Sequence, residues 1–292
     1  MGEQAGGVRI VADGLGIKGP RGWAVRGISV EAEPGALIAV EGPSGSGRTC
    51  LLLGLTGRMK VSEGTAAVGD ARLPKQMAAV RGISALAHVP GVTDLDPALT
   101  VAEHLRERAL LQQRFGASVR GLLRPRAERA AEAGRRVEAA LEAAGLDLEA
   151  LPKGPRTAVR DLERLEALRL SVALALVGGP RLLGIDDTDL KLSDGERGEV
   201  WALLGALADA GTTVVAVCSE APEGAVRVST AESREEPAAE DEADQAEEIG
   251  RTEEADQADQ ADQAERAERA ERADQAERGE EKADALTETG RA

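Results

Sequence analysis

The feature that most constrains this chain is an apolar run that passes directly into a glycine-rich loop. Ala36 to Val40 is unbroken by polar residues, the pattern of a strand covered on both faces. Gly42-Pro43-Ser44-Gly45-Ser46-Gly47-Arg48-Thr49 follows, and then the largely apolar Cys50 to Leu55. The loop fits G-x-x-x-x-G-K-[ST] at every position except the lysine, where Arg48 stands. Glycines at these places let consecutive N–H groups turn toward phosphate oxygens, and the N-terminus of the next helix adds partial positive charge. Strand, loop and helix together predict a phosphate-binding loop formed by Gly42, Pro43, Ser44, Gly45, Ser46, Gly47, Arg48, Thr49 and Cys50. The Thr49 hydroxyl is the expected Mg²⁺ ligand. Arg48 keeps the charge of lysine but spreads it over a planar fork, which is not a conservative change at an enclosed phosphate site. Two readings stay open: binding with altered geometry, or a loop kept for folding that holds nucleotide weakly.

The rest of the chain up to residue 228 reads as α/β. Val8, Ile10 and Ala12, and later Ile28, Val30 and Ala32, alternate with other positions and predict an antiparallel edge layer. Apolar runs at Ile83 to Ala87, Leu182 to Ile185 and Thr212 to Val217 predict parallel core strands joined by helical crossovers. Thr100-Val101-Ala102-Glu103 has the spacing of a capping box, and Ala127 to Ala144 is rich in Ala, Glu and Arg, with Gly145 and Pro152 as stop signals. Residues from about 100 to 170 are therefore expected to form a helical subdomain.

The formal charge is −16, and residues 229 to 292 supply −15 of it, leaving a nearly neutral body. Such a body has no basic stripe to follow a nucleic-acid backbone, and the acidic segment repels phosphate and anionic lipid alike. No nucleic-acid partner is expected. Ala-Asp-Gln and Ala-Glu-Arg triplets from Ala255 to Arg278 repeat with a period of three, so no apolar helix face persists. A disordered acidic tail over 229–292 is the expectation, with the folded domain over 1–228. No run approaches the roughly 18 apolar residues that cross a bilayer, so direct membrane insertion is not expected and a cytoplasmic location is. Cys50 and Cys218 are too few for a disulfide scaffold or a zinc site and read as small buried residues.

In the order of its elements, the segment from 8 to 228 resembles the ATP-binding cassette (ABC) transporter ATP-binding subunits. That family has a P-loop, a Gln-containing loop, a helical subdomain, an LSGGQ signature, a Walker B strand ending in Asp-Glu, a D-loop and a switch histidine. Leu182-Leu183-Gly184-Ile185-Asp186-Asp187 is similar to Walker B. The resemblance implies that Asp186 holds Mg²⁺ and that Asp187 takes the place of the catalytic glutamate. No glutamine lies between Val80 and Thr100, and His88 is the nearest polar substitute. Leu162-Glu163-Arg164-Leu165-Glu166 stands where the signature belongs, without its serine or glycines, and its two glutamates would oppose phosphate. Leu190-Lys191-Leu192-Ser193 stands at the D-loop, and Cys218-Ser219-Glu220 puts Ser219 in the place of the switch histidine. Trp23 is the aromatic nearest the place where the family stacks adenine, and either stacking or packing fits it.

The resemblance implies an ABC-type P-loop NTPase fold, ATP and Mg²⁺ as cofactors, and Asp187 and Ser219 as the altered catalytic pair. It also implies a separate membrane permease, a homo- or heterodimer, and a peripheral position at the inner face of the cell membrane. Elements of ground-state binding are kept and those of hydrolysis are altered, so weak or absent turnover is expected. The alternative is an inactive adaptor or regulatory protein on the same fold.

Overall fold

The computed structural model describes residues 6–20, 22–115, 125–189 and 191–231. A first sheet is antiparallel. It contains β1 (Ile10–Gly19), β2 (Gly22–Ala32), β4 (Glu63–Val68) and β5 (Ala71–Leu73) in the order β2-β1-β4-β5. Ile10 pairs with Ala32 on one side and Val68 on the other, so the alternating apolar positions of the sequence share one face. Trp23 packs over Gly16, where a Cβ would meet its ring at 2.8 Å, and Lys18 and Arg26 lie 4.8 and 4.9 Å from the ring centroid. Of the two readings left open for Trp23, packing is the one its surroundings supply.

The second sheet is parallel, with β3 (Leu37–Glu41), β6 (Ser84–Leu86), β7 (Leu182–Ile185), β8 (Thr213–Val217) and β9 (Val226–Ser229) in the order β6-β7-β8-β3-β9. Leu182 and Val215 face one core together with Ile38, Val40 and the antiparallel sheet. Leu183, Ile185, Val214 and Ala216 face another. This is why the apolar runs show no alternation: both faces of each strand are covered. Between the two sheets lies α1 (Arg48–Leu55), with Leu51, Leu52 and Leu55 buried in the first core. On the other face α5 (Arg164–Leu176) and α6 (Asp194–Asp209) bury Leu168, Val172, Val200 and Leu204.

The short helix α2 (Met77–Ile83) leads into β6. Then α3 (Val101–Phe115) and α4 (Arg126–Ala143), joined to α5, close a third core around Val101, Leu105, Leu146 and Leu170. Thr100 caps α3 as its spacing predicts: the Glu103 carboxylate accepts from the Thr100 amide at 2.8 Å. From about 170 onward α5 belongs to the core: Val172, Ala173 and Ala175 pack against the parallel sheet.

The boundary expected at 228 falls inside β9. Ser229 is in register with Glu41, and Thr230 is fully buried with its N–H on the Glu41 carbonyl at 2.9 Å. The folded edge therefore runs past 228, and the acidic segment from 232 onward lies outside the described residues. Among the described residues no helix is long and apolar enough to cross a membrane.

Candidate nucleotide site

In a parallel sheet the loops leaving the carboxyl ends of the strands converge on one edge. Here that edge gathers the Gly42–Thr49 loop after β3, His88 after β6, Asp186 and Asp187 after β7, Ser219 after β8 and Thr230 after β9. Thr188 ties the β7 end to the β8 end, its N–H and hydroxyl both donating to the Val217 carbonyl at 3.2 and 2.9 Å. The sequence-predicted residues are thus brought to one place by topology.

The loop turns on Gly47, which has φ 84 and leads into α1. A Cβ there would sit 2.0 Å from the Ala24 carbonyl oxygen, so glycine is required by both conformation and space. Gly45 faces open space. The Ser46 N–H folds back to the Pro43 carbonyl at 3.2 Å. Among the described residues no acceptor meets the N–H groups of Ser44, Gly45, Gly47, Arg48 and Thr49. Such a set of inward N–H groups at a helix start is suited to an anion. Ser44 and Pro43 are exposed, and Cys50 is half-buried on the first turn of α1, its thiol pushed up by burial and by the nearby Asp186.

Beneath the loop, the Thr49 hydroxyl donates to Asp186 Oδ2 at 2.5 Å. The other carboxylate oxygen accepts from the Asp187 N–H at 2.8 Å. Asp186 is buried, and burial raises its pKa above the ordinary 3.8 while these hydrogen bonds and Arg48 pull it back. One hydroxyl and one carboxylate form a hard-oxygen donor pair that would suit Mg²⁺. Among the described residues no group of three or more His, Cys, Asp or Glu could hold a metal by itself.

Several neighbours differ from the arrangement expected of them. Arg48 is bonded within the chain: its Nη1 donates to the carbonyl of Cys218 at the end of β8. Cys218 itself is buried, its thiol pushed up to about 12 chiefly by burial. Asp187 has φ 50, a left-handed conformation unusual outside glycine, asparagine and aspartate, and its charge lies near His88. His88 is placed by its carbonyl, which accepts from the Asp186 N–H at 2.7 Å. Its Nε2 lies 3.1 Å from Arg164 Nη2. A guanidinium can only donate, so Nε2 carries the lone pair. Burial and the Arg164 charge hold His88 below 6.5, and it is neutral near pH 7. Ser219 is exposed, and its N–H donates to Asp189 Oδ2 at 2.6 Å.

The glutamates at 163 and 166 act locally. Glu166 accepts from the Glu163 N–H at 2.8 Å, so its carboxylate caps its own helix. Ser193 likewise caps α6, its hydroxyl accepting from the Glu196 N–H at 3.3 Å and its N–H donating to the Glu196 carboxylate at 2.8 Å. Leu190 lies outside the described residues. Three residues at this edge had no role in the sequence reading: Arg164 as the partner of His88, Asp189, and Thr230. The Val226–Ser229 alternation is the signal that points to a strand ending just before Thr230.

Taken together, a parallel α/β sheet, a phosphate loop after β3 and a hydroxyl–carboxylate pair beneath it define a P-loop nucleotide-binding domain. The chain belongs to the ABC transporter family, whose model, described as "ABC transporter", matches residues 25–190. Among curated relatives, Nod factor export ATP-binding protein I of Cupriavidus metallidurans is 30% identical over 191 residues, 65% of this chain and 56% of that protein. Cell division ATP-binding protein FtsE of Streptococcus pneumoniae is 27% identical over 196 residues, 66% of this chain and 76% of that protein. The chain spans about half the length of the Nod factor export proteins it matches. Solved structures share the fold. One is an ATP-binding cassette dimer in a post-hydrolysis state bound to ADP and Pi (TM-score 0.55, 19% identity, 72% of this chain and 88% of that one). Another is cbiO1 from Clostridium perfringens, part of the ABC transporter complex cbiONQ (TM-score 0.57, 18% identity, 72% of this chain and 78% of that one).

Proposed function

We propose that this chain is the ATP-binding subunit of an ABC-type transport complex, one that binds Mg-ATP at the Gly42–Thr49 loop and hydrolyses it weakly or not at all. The observation that carries the reading is the Thr49–Asp186 contact beneath a loop in which the N–H groups of Ser44, Gly45, Gly47, Arg48 and Thr49 have no acceptor among the described residues. In this reading the backbone N–H groups of the loop hold the phosphates, and Thr49 and Asp186 hold the Mg²⁺ that offsets their charge. Asp187 is the candidate base for the attacking water, and Ser219 takes the place of the switch histidine.

Slow turnover follows from where the altered groups are committed. One N–H of Arg48 is held on the Cys218 carbonyl, which restrains how the guanidinium can meet the phosphates. Asp187 has a shorter side chain than glutamate and a left-handed backbone at φ 50. Ser219 carries no imidazole, and Glu163, Arg164 and Leu165 stand in place of the signature's serine and two glycines. Each of these changes removes stabilisation specific to the transition state and leaves ground-state binding in place.

Family membership and the cbiO1 relative support a separate permease as partner, a dimer of this chain with itself or a related subunit, and a position at the inner face of the membrane. Two further observations favour the adaptor reading. Arg48 donates to the Cys218 carbonyl, and the His88–Arg164 contact joins the parallel sheet to α5. Equilibrium titration with a fluorescent ATP analogue, with and without Mg²⁺, separates the two. Saturable, Mg²⁺-enhanced binding competed by ATP is expected for the subunit, and no binding is the result that leaves only the adaptor.

A further inference from the structure

Thr230 carries the inference with the most structural support. It lies just beyond β9, fully buried, and meets the phosphate loop from behind. Its Oγ1 is 2.5 Å from the Ser46 hydroxyl and donates to the Glu41 carbonyl at 3.2 Å. A threonine hydroxyl has one proton. With that proton on Glu41, Ser46 is the donor in the pair, and a relay runs from Ser46 through Thr230 to Glu41. The Ser46 proton is therefore directed into the protein and away from the loop's open side. At the other end of the loop, a Cβ on Gly42, which has φ 151, would lie 2.4 Å from the same Oγ1. Thr230 thus touches both the first glycine of the loop and its fifth residue. Its own N–H is anchored on Glu41, the residue that leads into the loop.

We propose that Thr230 is a positioning residue for nucleotide binding: its hydroxyl holds the curvature of the Gly42–Ser46 segment so that the loop's N–H groups converge on phosphate. The inference rests on the nucleotide-binding reading above and deepens it by adding a determinant from outside the loop. Replacing Thr230 by valine keeps the shape and the backbone hydrogen bond but leaves the buried Ser46 hydroxyl without its acceptor. Removing one partner of a buried pair is the costly case, and the loop is free to move in response.

The experiment measures the dissociation constant of a fluorescent ATP analogue with Mg²⁺ for the full chain and its Thr230→Val, Thr230→Ser, Ser46→Ala and Ser46→Ala/Thr230→Val variants. All are measured well below their melting temperatures. Leu204→Ala, in the opposite core, gives the effect of destabilisation alone. Expected are binding on the order of tenfold weaker for Thr230→Val, recovery to within about twofold for Thr230→Ser, and no further loss when Ser46→Ala is added to Thr230→Val. Thr230→Val binding as tightly as the wild type, or no more weakly than Leu204→Ala, overturns the role of Thr230 and leaves the nucleotide reading intact. Additive losses at Ser46 and Thr230 overturn the relay. Failure of the wild type to bind overturns both readings.

Discussion

Arg48→Lys is the perturbation whose outcome the structure specifies most closely. The Arg48 guanidinium donates to the Cys218 carbonyl, joining the start of α1 to the end of β8. A hydrogen bond from a charged donor contributes about 1.5–3 kcal/mol when well shielded. Arg48 is half-buried, so solvent screening reduces this to about 1 kcal/mol. Lysine has no planar fork to reproduce the contact. The unliganded protein should therefore lose about 1 kcal/mol, a fall in melting temperature of about 2–4 °C for a domain of this size. The same energy opposes nucleotide binding whenever the arginine must leave the carbonyl to meet phosphate. Releasing it should tighten ATP about fivefold, since about 1.4 kcal/mol corresponds to tenfold. Differential scanning fluorimetry and titration with a fluorescent ATP analogue measure the two effects. They should move in opposite directions, with lower stability and tighter binding. An unchanged melting temperature together with weaker binding would refute the reasoning, because it would mean that Arg48 already serves the phosphates.

Three further outcomes are expected. Asp186→Asn keeps oxygen acceptors for the Thr49 hydroxyl and removes a buried charge, so folding should survive while the Mg²⁺ enhancement of ATP binding disappears; titrations with and without Mg²⁺ test this. Glu103 and Glu196 have pKa values lowered below the ordinary 4.5 by hydrogen bonds from Thr100 and Ser193, so their contribution is present above that value and lost as pH falls through the lowered ones. Thermal melts from pH 6 downward should lose part of their acid limb in Glu103→Gln and Glu196→Gln, which keep an acceptor that does not titrate. Thiol alkylation followed by mass spectrometry should label Cys50 well before Cys218, whose thiol is buried with a pKa of about 12, and bound nucleotide should protect Cys50.

The frame of the fold was legible wherever the physical cause is local or periodic. β3, β7 and β8 announce themselves as apolar runs because a strand covered on both faces has no polar side to show. The same logic picks out the loop, where glycine spacing is dictated by backbone conformation, and the start of α3, where Thr100 and Glu103 bond across a single turn. Ser193 and Glu196 carry the same capping signal, yet their place in the family's order drew the reading toward a D-loop and away from a helix start. Glu163 and Glu166 bear the same three-residue spacing, and Glu166 accepts from the Glu163 N–H across one turn. Arg48 on Cys218, Arg164 on His88 and Thr230 on Ser46 could not be read from the chain. Each pair is more than 70 residues apart, and its contact exists only because the sheet order brings the two strand or helix ends together. The edge strand β9 was cut short for a related reason: it precedes an acidic run whose composition sets the apparent boundary.

Phosphate release measured at saturating Mg-ATP, on the same preparation whose ATP binding has been titrated, tests the central claim most directly. The account holds that nucleotide binding and turnover are separated in this chain: the loop, Thr49 and Asp186 are in place, while Arg48, Asp187, Ser219 and the Leu162–Glu166 segment are altered. It predicts saturable binding with release far below about 1 per second, the lower end of ordinary enzyme turnover. Saturable binding accompanied by release at about 1 per second or faster would contradict it.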